Sequence, residues 1–285
     1  MAAAQRIQPA DLWKQPIVAA DRKLPYGQDP LQFGEFRLPK TKGPYPVVIL
    51  VHGGCYVDRL PGRDPRDTTF EPLRPLAAAL TEAGVATWNL EYRRAGNPGG
   101  GWPGTFLDLA MGVDFLRSIA RENHLDLHRV VVIGHSSGGS FAHWLAARSK
   151  LPRSSPLYSK NPLRVKAVVN IDGPPDLAAF QPVERKGCPV PGLTELMGGT
   201  PSQQPERYGQ SSATPLLPVG VPQTIVAGGF LLASYDLVSS YEAAATAKGD
   251  SVTVLKLEGA GHFDMLAPES QYGRPVSEAI LALLK

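Results

Sequence analysis

Continuous apolar runs alternate with amphipathic segments along most of the chain. The runs at 46–51, 129–134 and 166–171 are mainly apolar, which is typical of strands covered by helices on both sheet faces. The pattern predicts strands at 32–38, 46–51, 85–90, 129–134, 166–171, 223–228 and 252–257, and helices at 71–83, 105–122, 137–148, 235–248 and 275–284. This alternation predicts an α/β fold in one domain, 1–285, built on a doubly wound, mostly parallel sheet.

The segment 173–222 interrupts the alternation. It is rich in proline and has weak periodicity, so it does not read as a further strand–helix unit. We expect a small excursion over the strand ends, forming a lid or pocket wall.

Composition narrows the possible classes of partner. The chain has 285 residues with 43% hydrophobic and 19% charged residues, as in ordinary globular proteins. The net charge of +3 is scattered, which argues against a nucleic-acid partner, and no apolar run is long enough to span a membrane. The first residues lack a signal-peptide core, so we expect a cytoplasmic protein, or one secreted after signal removal. The sequence does not indicate an oligomeric state.

The chain has two cysteines, Cys55 and Cys188, which are too few for a disulfide framework. Two buried thiols are favoured over a single bridge.

A candidate nucleophile follows the apolar run 129–134. In "GHSSGG", only Ser136 has glycine both two places before it and two places after it, at Gly134 and Gly138. A strand that turns sharply into a helix crowds its turn residue, and flanking glycines remove the side chains that would clash. Ser136 is therefore predicted to present its hydroxyl at the top of a strand–turn–helix element.

A serine hydroxyl needs a base, and His262 is the candidate. It follows the last predicted strand in "GAGHFD", so its loop leaves the sheet at the same edge as Ser136. The other histidines are assigned to structural or solvated positions: His52, His124, His128, His135 and His143.

Amide groups near the ends of two elements can stabilise an oxyanion. Gly53 and Gly54 follow the strand 46–51, where the absence of side chains lets N–H groups face a cleft. Ser137 begins the next predicted helix, where amides have no intrahelical partner.

Taken together, "PVVILVHGG", "GHSSGG" and "GAGHFD" resemble the α/β-hydrolase fold, in its single-domain esterase/lipase branch that includes arylformamidase-like and prolyl-oligopeptidase-like enzymes. The resemblance implies Ser136 as nucleophile and His262 as base. It implies an oxyanion hole from amides near Gly54 and Cys55, together with Ser137.

The third member of a catalytic triad is ambiguous. In the family, the carboxylate follows the penultimate strand, but here the positions after Gly228-Gly229 are Phe230, Leu231 and Leu232. Asp236 is the first carboxylate beyond them and is the preferred acid, although it could instead be the N-cap of a helix 237–248. Asp172, after the strand 166–171, is the competitor, and the absence of any functioning acid is the third alternative.

These residues predict a serine hydrolase that cleaves a small or medium uncharged carboxylic ester through an acyl-enzyme. An amide hydrolase with the same site, such as an arylformamidase or small peptidase, is the nearest alternative. A non-catalytic binding protein of the same fold is the alternative from another class. No cluster has metal-ligand or phosphate-loop spacing, so neither a metal nor a cofactor is expected, and the partner is a small-molecule ester or amide.

Overall fold

The computed structural model describes residues 6–228 and 234–285. Phe230, Leu231 and Leu232 stand at the positions where the family has its carboxylate. They lie outside the described residues.

One eight-stranded sheet organises the described chain. Its strands are β1 (Arg22–Pro25), β2 (Phe33–Arg37), β3 (Tyr45–Val51), β4 (Ala86–Leu90), β5 (Leu125–His135), β6 (Ala167–Ile171), β7 (Gln223–Ala227) and β8 (Val252–Lys256). The strand order is β1-β2-β4-β3-β5-β6-β7-β8. The pairs β1·β2 and β2·β4 are antiparallel, and all other pairs are parallel. The predicted doubly wound, mostly parallel sheet is confirmed.

Helices flank the sheet. They are α1 (Pro9–Trp13), α2 (Arg74–Glu82), α3 (Gly104–Asp114), α4 (Leu116–Ile119), α5 (Ser137–Ala147), α6 (Leu177–Phe180), α7 (Glu184–Gly187), α8 (Gly192–Met197), α9 (Pro205–Ser211), α10 (Tyr235–Ala247) and α11 (Gly273–Leu283). Short 3-10 turns occur at Pro65–Thr68, Glu71–Leu73, Arg148–Lys150, Gln181–Val183, Thr214–Leu216 and Asp264–Leu266. None of the helices among these described residues is long and apolar enough to cross a membrane.

The continuous apolar runs are explained by two cores, one on each sheet face. In β3, Val47, Ile49 and Val51 pack into one core, while Val48 and Leu50 pack into the other. Successive strand residues point to opposite faces, so a strand covered on both sides must be apolar throughout. The same arrangement buries residues 130–135 of β5 and the whole of β6.

The excursion 173–222 contains α6 to α9. Gly187 and Pro189 in this segment line the cleft above Ser136, where a pocket wall was predicted. Its action as a lid stays a prediction.

Candidate active site

Ser136 stands between β5 and α5 in a strained conformation. Its φ of 57° and ψ of −132° are unusual for a residue with a side chain. A Cβ at Gly134 would overlap the carbonyl oxygen of Gly138, and a Cβ at Gly138 would overlap that of Val51. The flanking glycines are therefore required by backbone contact, as the sequence predicted.

His262 and Asp172 form a hydrogen-bonded pair beside Ser136. The Nδ1 of His262 lies 2.7 Å from Oδ2 of Asp172, whose side chain is fully buried. Because a carboxylate only accepts, this contact fixes the imidazole with its hydrogen on Nδ1. The Nε2 lone pair is then available to accept a proton, and both His262 and Ser136 line the same cleft.

The preference for Asp236 as the partner of His262 was wrong. Asp236 lies exposed in the first turn of α10, whose N-cap is Ser234. A carboxylate at this position is stabilised by the helix dipole, which accounts for its presence without a catalytic role. Asp172, the competing candidate, occupies the position facing His262.

A tight turn after β6 places Asp172, and sequence analysis missed the residue that fixes it. Asp172 has a φ of 51°. The side chain of Asn170 closes the turn by accepting from the Gly173 amide at 2.9 Å and donating to the Gly173 carbonyl at 3.1 Å. The Gly228 amide also donates to Oδ1 of Asp172 at 3.3 Å. An asparagine inside an otherwise apolar strand was the available signal, because buried amides require partners.

His135 supports the loop that carries His262. Its Nε2 donates to the His262 carbonyl at 2.9 Å, and the two rings lie 4.5 Å apart. Burial and the neighbouring His262 hold the pKa of His135 well below its usual value, although the hydrogen bond to the carbonyl opposes this. His135 therefore acts as a neutral donor to the loop that carries His262.

The loop after β3 borders Ser136. Gly53 lies so close to Ser136 that a Cβ there would be 2.5 Å from the serine Cβ. Gly53, Gly54 and Cys55 line the cleft with Ser136, and Ser137 is the first residue of α5. The structure thus brings together the four residues predicted for an oxyanion hole, and their role remains a prediction.

His52 has the structural role expected of it. Its ring stacks on Tyr92 at 4.2 Å, and its Nε2 lies 3.1 Å from Oε1 of Glu91. Burial alone would raise the pKa of Glu91, but His52 and Arg94 outweigh it and hold this pKa below the usual range. The buried cluster fixes the base of the loop that Gly53 begins.

The two cysteines form a disulfide, so the prediction of two free thiols was wrong. Cys55 and Cys188 are 133 residues apart in the chain and their Cα atoms are 5.7 Å apart. Their sequence separation gave no signal, because the excursion folds back over the loop after β3 only in the tertiary structure.

The cleft above Ser136 has a volume of about 280 Å³. Its apolar lining includes Leu60, Pro72, Leu73 and Phe263, and its polar lining includes Arg63, Asp67 and Thr69. Within residues 6–228 and 234–285, no group of three or more His, Cys, Asp or Glu side chains is placed to hold a metal ion.

Comparison with known proteins finds a matching family model and a set of similar solved structures. The BD-FAE family model matches residues 36–230, a range that includes Ser136 and Asp172. A search of curated proteins finds no significant match.

Several solved esterases share the architecture at low sequence identity. A truncated carbohydrate esterase from gut microbiota is 17% identical, with a TM-score of 0.74 over 94% of this chain and 97% of that one. Esterase B from Lactobacillus rhamnosis is 17% identical, with a TM-score of 0.72 over 94% and 88%. A propionate-bound esterase from Thermogutta terrifontis is 16% identical, with a TM-score of 0.70 over 92% and 93%. These similarities confirm the predicted α/β-hydrolase fold.

Proposed function

The chain belongs to the BD-FAE family, and we propose that it is a serine hydrolase that cleaves small or medium uncharged carboxylic esters through an acyl-enzyme. The contact that carries this proposal is the 2.7 Å hydrogen bond between His262 and the buried Asp172. It orients a base next to a serine held in a strained turn. The absence of an acid was the main reason to consider a non-catalytic protein, and the Asp172 pairing removes that reason.

In the proposed mechanism, Ser136 attacks the ester carbonyl while Nε2 of His262 accepts the hydroxyl proton. The negative oxygen of the tetrahedral intermediate accepts from amides of the loop after β3 and from Ser137. The imidazolium then donates its proton to the leaving alcohol, and Asp172 stabilises the positive charge throughout. Water, activated by the same histidine, releases the acid and restores Ser136.

The cleft supports a compact substrate. Its volume of about 280 Å³ is close to the lower end of small-molecule pockets, which begin near 300 Å³. Apolar walls formed by Leu60, Leu73 and Phe263 suit a short acyl group. The propionate held by the Thermogutta terrifontis esterase agrees with this acyl length.

A pair of adjacent substitutions tests the nucleophile. Ser136→Ala should abolish ester hydrolysis in a folded protein because it removes the proposed nucleophilic hydroxyl, which lines the cleft together with His262. Ser137→Ala should reduce kcat by less than about fivefold because alanine keeps the backbone amide that is proposed to act. Equal loss in both variants would show that the wrong serine has been assigned.

A second pair tests the acid. Asp172→Asn should lower kcat by about 10²- to 10⁴-fold with little change in KM, because asparagine favours the wrong imidazole tautomer. Asp236→Asn is the matched control and should stay within about twofold of the unmodified protein. The reverse outcome would transfer the role to Asp236.

Substrate class is tested with p-nitrophenyl esters of increasing acyl length beside N-formyl aromatic amines. We expect the highest kcat/KM for short acyl chains and slow turnover of the amides. Faster hydrolysis of the formyl amines would assign the site to amide cleavage instead.

A further inference from the structure

The turn that borders Ser136 has three consecutive residues with positive φ. The φ values are 117° at Gly54, 53° at Cys55 and 68° at Tyr56. Glycine tolerates this region, but the side chains of Cys55 and Tyr56 make it unfavourable unless surrounding contacts impose it. Those contacts therefore determine where the amides of the turn point.

On one side, Tyr56 is held by α5. Its hydroxyl lies 3.1 Å from Oγ of Ser140, and its ring packs edge-on against Phe141 with centroids 5.5 Å apart. The Ala95 amide also donates to the Tyr56 carbonyl at 3.1 Å. Tyr56 is thus fixed to the helix that begins beside the nucleophile.

On the other side, Cys55 is held by the excursion. Cys188 is bonded to it, and Gly192 packs so closely on the Cys55 carbonyl that a Cβ would overlap it. The buried Glu184 anchors this part of the excursion: its carbonyl accepts from the Cys188 amide at 2.8 Å, and its carboxylate accepts from the Leu193 amide at 2.9 Å. The disulfide therefore joins the strained turn to a fixed support.

We propose that Cys188 is a positioning residue for the oxyanion hole, acting through its disulfide with Cys55. The disulfide opposes relaxation of Cys55 to a negative φ, which would rotate the neighbouring peptide groups away from the developing oxyanion. This inference rests on the proposed function, because it assigns the turn to transition-state stabilisation. In this proposal Cys188 does not contact the substrate and acts only through its bond to Cys55.

Steady-state hydrolysis of a short p-nitrophenyl ester by Cys188→Ser tests the proposal. Removing one oxyanion donor lowers kcat by about 10²- to 10³-fold, and misplacing a donor lowers it less. We therefore expect kcat of the variant to fall about 10- to 100-fold, with KM within about threefold of the unmodified protein. Inhibition by a trifluoromethyl ketone, whose adduct places an oxyanion in the hole, should weaken by a similar factor. If the disulfide were purely structural, its loss would lower Tm. It would leave kcat and inhibition by the ketone unchanged at a temperature where the variant is fully folded.

The two cysteines offer an internal control. Cys55→Ser and the double variant should match Cys188→Ser, because each removes the same bond and the effects cannot add. Reduction of the unmodified protein should lower kcat to the value found for Cys188→Ser. Dithiothreitol supplies two electrons and two protons to the disulfide, yielding two thiols and its own cyclic disulfide. The chain has two cysteines, so titration of two thiols per molecule confirms that the disulfide has been reduced. The reductant should not change kcat of Cys55→Ser, Cys188→Ser or the double variant, because none of them contains the disulfide.

The outcomes separate this inference from the proposed function. If the oxidised protein hydrolyses no ester, the proposed function fails. If it hydrolyses esters but the folded variants keep kcat and ketone inhibition within about twofold, the positioning role is wrong and the proposed function stands. Should a variant not fold, the reduced unmodified protein, with both thiols titrated, decides the question.

Discussion

Acidification should destabilise the protein through His143, a buried residue of α5. Its Nδ1 lies 3.3 Å from the Tyr241 hydroxyl, which donates its own hydrogen to Oε1 of Gln223 at 2.7 Å. The imidazole must therefore carry its hydrogen on Nδ1, which leaves Nε2 without a partner among the described residues. Burial lowers the pKa of His143 to about 4, only partly opposed by Gln223.

The size of the effect follows from proton linkage. An unfolded histidine has a pKa near 6.5, so between pH 6.5 and pH 4 the unfolded chain binds a proton that the folded chain does not. Stability is therefore lost as the pH falls through this window. With folded and unfolded pKa values of about 4 and 6.5, the loss from pH 8 to pH 5 is about 2 kcal/mol. His135, whose pKa is also lowered, destabilises in the same direction.

Urea unfolding at pH 8 and pH 5 isolates the contribution of His143. In His143→Gln, the titrating group is absent, whereas His135 and all carboxylates remain. The unmodified protein should lose about 2 kcal/mol more of its unfolding free energy between the two pH values than the variant does. An equal loss in both proteins would mean that His143 titrates in the folded state as it does in the unfolded chain, and the burial argument would be refuted.

Two pairs of substitutions test the packing of the fold, and a chelator tests whether ester hydrolysis depends on a metal. Asp108→Ala should cost about 3 kcal/mol in urea unfolding because it leaves Arg93 without its buried partner, whereas Asp126→Ala, which breaks a surface pair, should cost under about 1 kcal/mol. Gly138→Ala should cost at least about 3 kcal/mol because the new methyl group meets backbone, while Gly209→Ala, with open space around it, should be neutral or slightly stabilising; a small cost at Gly138 would contradict the close packing of the elbow. A chelator should leave the rate of ester hydrolysis unchanged because the described residues hold no metal-binding cluster, and activity lost to the chelator and restored by a divalent ion would contradict this.

Signals that depend on a few neighbouring residues were sufficient to predict most of the sheet and the strand–turn–helix element that carries Ser136. The apolar run of β3 directly reflects burial on both faces, and the glycines around Ser136 reflect contacts with adjacent backbone. β1 escaped prediction because it is a short edge strand whose residues are half-buried or exposed, so it carries little apolar signal. The five residues of α1 are too few to establish a helical period.

The pairing of His262 with Asp172 and the disulfide could not be predicted from the sequence because both depend on how distant elements are arranged in space. Asp172 and Asp236 both follow predicted strands, and local sequence cannot say which carboxylate reaches a loop after β8. Cys55 and Cys188 meet only because the excursion packs against the turn after β3. In each case the decisive distance is between elements far apart in the chain, which periodicity and turn chemistry do not determine.

The position of Asp172 also makes the site less dependent on loops than an acid at Asp236 would. The Ser136 amide donates to the carbonyl of Ile171 at 2.9 Å, and the Asp172 amide donates to the carbonyl of Val226 at 2.8 Å. Backbone hydrogen bonds therefore tie the proposed nucleophile to the end of β6 and the proposed acid to the neighbouring strand β7. His262 alone is carried by a loop that extends beyond its strand, and its contacts with Asp172 and His135 restrain it there. Two rigid partners can thus orient one loop residue, which is the preorganisation that the proposed proton transfer from Ser136 to His262 requires.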